Sequence, residues 1–181
     1  MGISGKFLHI GPSFKNVGAD NSMPEWAQGC DEVRFDIDPE CNPDIVGSMV
    51  DMGPIGDFDF VYSCHALEHL YPHDVPVALG EHFRVLKPGG VAMTIVPDLE
   101  GIQATDDPVY ESYSGWITGL DMIYGKASFI ADSIHMAHHT GFTPATLAEA
   151  YKAAGFTDVS IQKIECHSIL CAGKKPCEMN A

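Results

Sequence analysis

Acidic residues and histidines that could hold a cofactor and move a proton follow three apolar runs of this chain. Asp36 comes directly after VRF, Asp51 comes after GSMV, and His65 comes shortly after FDFVY. A carboxylate at the end of a strand can accept hydrogen bonds from both hydroxyls of a ribose, and a histidine can take up a proton near neutral pH. These residue types therefore predict a site for a nucleotide-type cofactor with an acid–base group beside it.

The elements that would position these groups are clearest in residues 57–98. Apolar runs at 58–62 and 91–96 predict two strands buried on both faces, and the apolar positions of 74–86 recur at helical spacing. Pro-Gly-Gly at 88–90 is predicted to end that helix. Such a unit makes its two strands parallel neighbours, so their carboxyl ends meet at the edge where ligands of open α/β sheets bind.

The other elements are predicted from apolar runs and turn residues. Further strands are expected at 6–10, 33–37, 44–49, 159–164 and 167–172, the last two as an antiparallel hairpin. A helix over 143–154 begins at a capping Thr143, and the tail after Gly173 is expected to fray. Residues 98–142 show no period and are too long for a plain loop, so they predict an inserted substrate lid. Alternatively, the aromatic residues of this segment only pack it down.

The loop after the first strand has one glycine, Gly11, followed by Pro12 and Ser13. A cofactor loop usually has two or three glycines, so an ordinary turn is the alternative here. Asp36 lies 25 residues after Gly11, near the spacing of about 20 expected for an acid that binds ribose. The alternative is that Asp36 or Asp38 only caps a turn.

Composition limits the partners and the compartment. A chain of 181 residues fits one domain, 1–181, and its net charge of −15 with ten scattered Lys and Arg predicts neither a nucleic-acid nor a membrane partner. Six cysteines without a CxxC pair, and no secretory signal at the start, predict a reduced, cytoplasmic protein. The apolar pattern leaves the oligomeric state open.

Five stretches together resemble a class I S-adenosylmethionine-dependent methyltransferase of the small type 11 kind. They are VRFDIDPE, GSMVDMG, FDFVYSCHALEHL, FRVLKPGGVAMTIVPD and FTPATLAEAYKAAGF. The resemblance implies a three-layer α/β/α fold, with a Rossmann-like, mostly parallel seven-stranded sheet and an antiparallel terminal hairpin. It also implies O- or N-methylation of a small-molecule or saccharide-type acceptor by in-line displacement.

The resemblance assigns S-adenosyl-L-methionine to a set of residues along the predicted sheet edge. These are Gly11 and Ser13 for the methionine end, Asp36 for the ribose, Ile37, Asp51 and the Met52 amide for the adenine, and the loop from Ser63 to His65 over the methionine group. A histidine is suited to deprotonate a hydroxyl or amine acceptor. His138 is the first candidate for this base, because the family often carries a histidine shortly before GF, and His135 and His65 follow.

Two further interpretations stay open. His65, Glu68 and His69 spell HxxEH, the pattern in which two histidines bind zinc and the glutamate serves as a base, and His135, His138 and His139 could likewise form a metal site. Both are disfavoured, so no metal is predicted. The other alternative is a protein that kept the methyltransferase fold as a binding or interaction module, with a degenerate cofactor loop at Gly11.

Overall fold

The computed structural model describes residues 4–13 and 23–177. Its strands are β1 (Lys6–Ile10), β2 (Asp31–Asp36), β3 (Ile45–Val46), β4 (Phe58–Cys64), β5 (Leu86–Pro97), β6 (Pro108–Ser112), β7 (Gly115–Thr118), β8 (Thr157–Ile164) and β9 (Ser168–Lys174). Its α-helices are α1 (Val75–Val85), α2 (Gly119–Tyr124), α3 (Ala127–Asp132) and α4 (Pro144–Ala153). Seven strands form one sheet in the order β3-β2-β1-β4-β5-β9-β8. The pairs β5-β9 and β8-β9 of this sheet are antiparallel and its other pairs are parallel, which confirms the predicted sheet and terminal hairpin.

The unit β4-α1-β5 forms as predicted, except where the helix passes into the strand. Instead of turning at Pro-Gly-Gly, the chain enters β5 at Leu86 directly after α1. Phe58 pairs with Leu86 whereas Phe60 pairs with Val91, so a bulge in β5 takes up the extra residues. The expected fraying after Gly173 is wrong for the next two residues. Strand β9 includes Lys174, and the Lys175 amide donates to the Gly90 carbonyl at 2.8 Å.

The two faces of the sheet carry different layers. On one face α1 and α4 cover the largest apolar cluster, to which Val61 of β4 and Tyr151 of α4 belong. On the other face, Tyr62 and Cys64 of β4 join a smaller cluster with Trp26, beside a short 3-10 helix at Glu25–Ala27. Successive residues of a strand point to opposite faces, so neighbours in β4 belong to different environments.

Residues 98–142 leave the sheet after β5 and return to the same place. The Leu99 amide donates to the Phe142 carbonyl at 2.9 Å, and Phe142 is buried in the core. Between these ends lie the hairpin β6-β7 and the helices α2 and α3, and a capping box from Thr118 to Asp121 begins α2. This segment therefore has secondary structure of its own, although its sequence shows no clear period. In the described part of the chain, no helix has the length and apolar character that crossing a membrane requires.

Candidate functional site

The loop after β1 passes close to the loop after β4, and a glycine is needed there. Gly11 has φ +64°, and a Cβ atom on it would lie 2.8 Å from the Ala66 Cβ. The Gly11 amide donates to the Phe35 carbonyl of β2 at 2.9 Å. A side chain at this position would be strained and would also clash, so the glycine allows these two loops to pack against each other. The approach of this backbone to a cofactor stays a prediction.

Asp36 at the end of β2 holds this loop in place. Its Oδ2 accepts the Ser13 amide at 3.1 Å and its Oδ1 accepts the Asp38 amide at 3.0 Å, and the residue is almost fully buried. Asp38 instead accepts the Glu40 amide and caps the short 3-10 helix that follows. Both carboxylates thus accept the amide two residues on, as turn-forming aspartates do, and Asp36 also holds the loop after β1. The ribose role of Asp36 stays a prediction. Ile37 next to it is half exposed, an apolar surface at the strand end.

Of the two groups predicted to bind the adenine, the Asp51 side chain is exposed to solvent, whereas the Met52 amide already has a partner within the protein. Asp51 is exposed in the tight turn that begins at Ser48. The Met52 side chain is buried, and its amide donates to Glu81 Oε2 at 2.9 Å. Arg84 holds the same carboxylate, and this ion pair lowers the pKa of Glu81. The Met52 amide is therefore used within the protein, which differs from the role predicted for it.

Ser63 does not lie in the loop that the sequence predicted. Strand β4 continues to Cys64, so the Ser63 side chain points to the helix-covered face and is fully buried. Its Oγ lies 3.0 Å from the Thr94 Oγ1, which accepts the Tyr151 hydroxyl at 2.6 Å. The side chain therefore belongs to a core network, and closure of the stretch from Ser63 to His65 over the methionine group stays a prediction.

His65 begins the loop after β4 and contacts a buried carboxylate. It has φ +49°, and its amide donates to the Ile95 carbonyl of β5 at 2.9 Å. The His65 Nδ1 lies 3.1 Å from the Oε1 of Glu68, which is 1% exposed in the 3-10 helix Leu67–His69. Burial raises the pKa of Glu68. The hydrogen bond from His65 and the nearby charges of the histidines lower the pKa by more than burial raises it, so the net pKa is depressed. The glutamate is therefore ionised at neutral pH.

Two more histidines approach Glu68 from different segments. The His69 Nδ1 donates to the Ala137 carbonyl at 3.0 Å, and the His138 Nδ1 donates to the Met122 carbonyl at 3.0 Å. Their ring centroids are 5.1 Å apart. Burial lowers the pKa of His138, against the opposing charge of Glu68. His135 is exposed on the short 3-10 helix before this segment and does not join the group.

Two cavities meet at His65. One, of about 140 Å³, lies between the loop after β4 and residues 98–142, and its wall includes His65, Glu68, His138, Tyr110, Tyr113 and Lys126. The other, of about 460 Å³, lies on the opposite sheet face and is lined by Tyr62, His65, Ile95 and Ser168 among others. His135 lines neither. Sequence reasoning missed Glu68 as a partner of His65, because the contact depends on the left-handed backbone of His65 just before the 3-10 helix.

The comparisons with known proteins agree with this geometry. Residues 17–94, less than half of the chain, match the family model described as a methyltransferase domain. No curated protein matches the chain in sequence.

Solved structures extend the likeness over nearly the whole chain. An N1-methyltransferase of 1,6-didemethyltoxoflavin from Burkholderia thailandensis, solved with that compound and S-adenosylhomocysteine, is 16% identical, with a TM-score of 0.62 over 96% of this chain and 72% of its own. An S-adenosylmethionine-dependent methyltransferase from Mesorhizobium loti is 14% identical, with a TM-score of 0.64 over 94% and 91%. Human N-acetylserotonin methyltransferase, in complex with S-adenosylmethionine, is 17% identical, with a TM-score of 0.58 over 95% of this chain and 48% of its own.

These findings confirm that residues 17–94 resemble a methyltransferase domain and that the chain has the fold of solved methyltransferases. At such identities the structural likeness is one of fold. The chain also spans only about half the length of the human enzyme. The acceptor and the roles of individual residues therefore depend on the site itself.

Proposed function

We propose that this protein binds S-adenosylmethionine at the carboxyl ends of β1 to β4 and methylates a small-molecule acceptor under residues 98–142. The observation that carries the proposal is the position of His65. This residue is fixed by Glu68 at the end of β4 and lines the cavities on both sides. A base placed between a cofactor edge and an acceptor cavity is suited to group transfer.

The strand ends fit the cofactor in three respects. Gly11 lets the loop after β1 pack tightly against Ala66, Asp36 presents a fixed carboxylate suited to ribose hydroxyls, and Ile37 offers an exposed apolar surface to a flat base. When bound, the cofactor supplies a methyl group already activated by its sulfonium. The chain then has mainly to align the acceptor and exclude water.

His65 is the base that the geometry supports best. Its Nδ1–H donates to the Glu68 carboxylate, so the ring is oriented. Its Nε2, which lies 3.5 Å from the Ser168 Oγ, is the atom that can take a proton from a hydroxyl or an amine. Because the pKa of Glu68 is depressed, the carboxylate also stabilises the imidazolium that forms. His138, the first candidate from the sequence, lines the acceptor cavity, whereas His135 lies outside it.

The cavity indicates the acceptor class. Its wall combines the aromatic rings of Tyr110, Tyr113 and Phe129 with the charged groups of Lys126 and Asp121. About 140 Å³ admits a small ring or the terminal sugar of a larger molecule. Such a mixture suits a polar metabolite or a saccharide-type acceptor, methylated on oxygen or nitrogen. A cytoplasmic location and the lack of a nucleic-acid partner stay predictions from composition.

Calorimetry with S-adenosylmethionine and S-adenosylhomocysteine tests the cofactor site. We expect 1:1 binding by the wild type and a Kd roughly 10- to 100-fold weaker for Asp36→Ala, since hydrogen bonds to a charged group contribute about 1.5–3 kcal/mol. Asp38→Asn is the matched control, because Asp38 caps the next turn and its substitution should leave the Kd unchanged. Absence of binding by either compound would contradict the proposal. Binding without turnover on any acceptor would favour a non-catalytic module.

A further inference from the structure

We infer that Glu68, His69 and His138 form a binding site for a divalent transition-metal ion. Each residue offers one ligand atom, and these three atoms all lie within 4.8 Å of one another. Two imidazoles and one carboxylate form a ligand set that zinc, manganese, iron and cobalt accept. The set differs from both metal patterns that the sequence suggested, and it goes against the sequence expectation of no metal.

The backbone holds the two segments of the site together. The Glu68 carbonyl accepts the amides of His139 and Thr140 at 2.9 and 3.1 Å, and the Thr140 hydroxyl donates to the Leu70 carbonyl at 2.6 Å. The amide of His138 donates to the Tyr124 carbonyl of α2 at 3.0 Å. The three ligand residues are thus fixed by main-chain contacts on both sides, which is the preorganisation that a metal site needs.

Both imidazoles are oriented as metal ligands are. Each Nδ1–H donates to a backbone carbonyl at 3.0 Å, of Ala137 for His69 and of Met122 for His138. A neutral imidazole that donates from Nδ1 keeps the lone pair of Nε2 for an ion. A second hydrogen bond of this kind, from the other ring nitrogen to a carbonyl, accompanies nearly all metal-binding histidines.

Glu68 supplies an independent observation. Its residue is 1% exposed, and its Oε2 has no hydrogen-bond partner among the described residues, although its Oε1 accepts from His65. A buried carboxylate oxygen without a partner is costly, so proteins rarely retain one without a ligand. A cation beside His69 and His138 would provide what this oxygen lacks.

The ion would face the acceptor cavity, whose wall includes all three ligand residues. Metal–ligand bonds of about 2.0–2.2 Å set the ligand atoms roughly 3.4 Å apart, so the side chains would close by rotation. Three protein ligands leave at least one coordination position open, as catalytic sites do. If the proposed function holds, an oxygen of the acceptor would bind at this open coordination position. The ion would then lower the pKa of that oxygen. The acceptor would then be a hydroxyl or carboxylate compound.

Metal binding can be measured without any acceptor. The full chain is stripped with a chelator and titrated with Co²⁺, whose visible absorption reports the geometry and whose near-ultraviolet bands reveal any thiolate ligand. We expect one Co²⁺ per chain without thiolate bands, a raised melting temperature, and displacement by Zn²⁺. Glu68→Gln, His69→Ala and His138→Ala should each weaken binding roughly 100-fold or more.

His135→Ala is the matched control, since His135 is an exposed histidine three residues before His138. Its affinity for Co²⁺ should equal that of the wild type. Circular dichroism checks that each variant is folded, and Glu68→Gln keeps the size of the side chain where alanine would leave a hole. No binding by the folded wild type, thiolate bands, or equal loss in the control would overturn the inference. These outcomes are separate from cofactor binding, which Asp36→Ala tests.

Discussion

Two buried polar clusters lie within six residues of each other at the end of β4, and they are built differently. In the first, Ser63, Thr94 and Tyr151 form a chain of hydroxyl groups in which each has a partner within 3.0 Å. In the second, Glu68 is surrounded by histidines, yet one of its oxygens has no hydrogen-bond partner in the described part of the chain.

The difference teaches how to tell a structural network from a site. Buried polar groups that satisfy one another stabilise and specify a core, whereas an unsatisfied group that converges with others is retained for a ligand. Ser63 lies within β4, on the face that the helices cover. The histidines lie beyond the end of β4, beside a cavity. The following predictions test this division, in order of effect.

Loss of the imidazole at His65 should have the largest effect. We expect His65→Ala to lower kcat by roughly 10²- to 10⁴-fold, because it removes a general base, and to change the cofactor Kd little. The measurement is transfer of a labelled methyl group to an acceptor found by screening, together with calorimetry. His73→Ala replaces an exposed histidine of the same loop and is the control. Unchanged turnover would remove His65 from the chemistry, and a matching loss of cofactor affinity would make it a binding residue.

His82 of α1 is a buried histidine that lies outside the proposed site. It shows whether ring nitrogens without a hydrogen-bond partner are enough to indicate a ligand-binding site. It is fully buried, neither ring nitrogen has a hydrogen-bond partner among the described residues, and burial lowers its pKa to about 4. Between about pH 6.5 and 4 the unfolded chain binds a proton that the folded chain does not. The free energy of unfolding should therefore fall by about 3 kcal/mol as pH falls through this range.

Urea unfolding at several pH values measures this loss. His82→Leu should remove most of it, while His73→Leu should keep the wild-type dependence. Wild-type cofactor and metal binding are expected in His82→Leu, since His82 converges with no other ligand group in the described structure. Parallel stability curves for wild type and His82→Leu would contradict the assignment. Loss of metal binding in His82→Leu would mean that an isolated buried histidine matters to the site as much as the clustered ones do.

Substitution in the satisfied cluster should affect stability alone. Thr94→Val leaves the hydroxyls of Ser63 and Tyr151 without their shared partner, which should cost about 1–3 kcal/mol of unfolding free energy. Thr157→Val removes a hydroxyl that donates to the Lys174 carbonyl at 3.2 Å, but water can replace this bond at an exposed strand position, so the cost should stay within about 0.5 kcal/mol. Calorimetry should show wild-type cofactor affinity for both variants. Weaker cofactor binding by Thr94→Val would mean that this network also supports the site.

The sequence predicted what depends on local pattern. The strands around α1, the acid at the end of β2 and the glycine after β1 follow from periodicity, turn chemistry and spacing, and all are present. The role of Ser63 was not predictable in the same way. It depends on whether β4 ends at Tyr62 or continues to Cys64, and two residues decide between strand and loop.

Contacts between distant segments could not be predicted from one sequence. The Met52 amide is taken by Glu81, 29 residues later, and no local signal marks that bond. The meeting of Glu68 with His138 depends on the path of residues 98–142, which lack a period because short helices and a hairpin alternate there. The histidines of residues 98–142 indicated a functional segment. Only the fold shows that His138 is the one that reaches the Glu68 carboxylate.

The long separation within the histidine cluster has a consequence for folding. His69 bonds to Ala137, 68 residues later, and Thr140 bonds to Leu70, 70 residues earlier. Closing so long a loop costs entropy, so such contacts tend to form after the local elements. If these contacts form after the folding transition state, an ion or ligand bound there stabilises the native state alone. We expect it to slow unfolding without changing the folding rate, so that occupancy sets the lifetime of the native state.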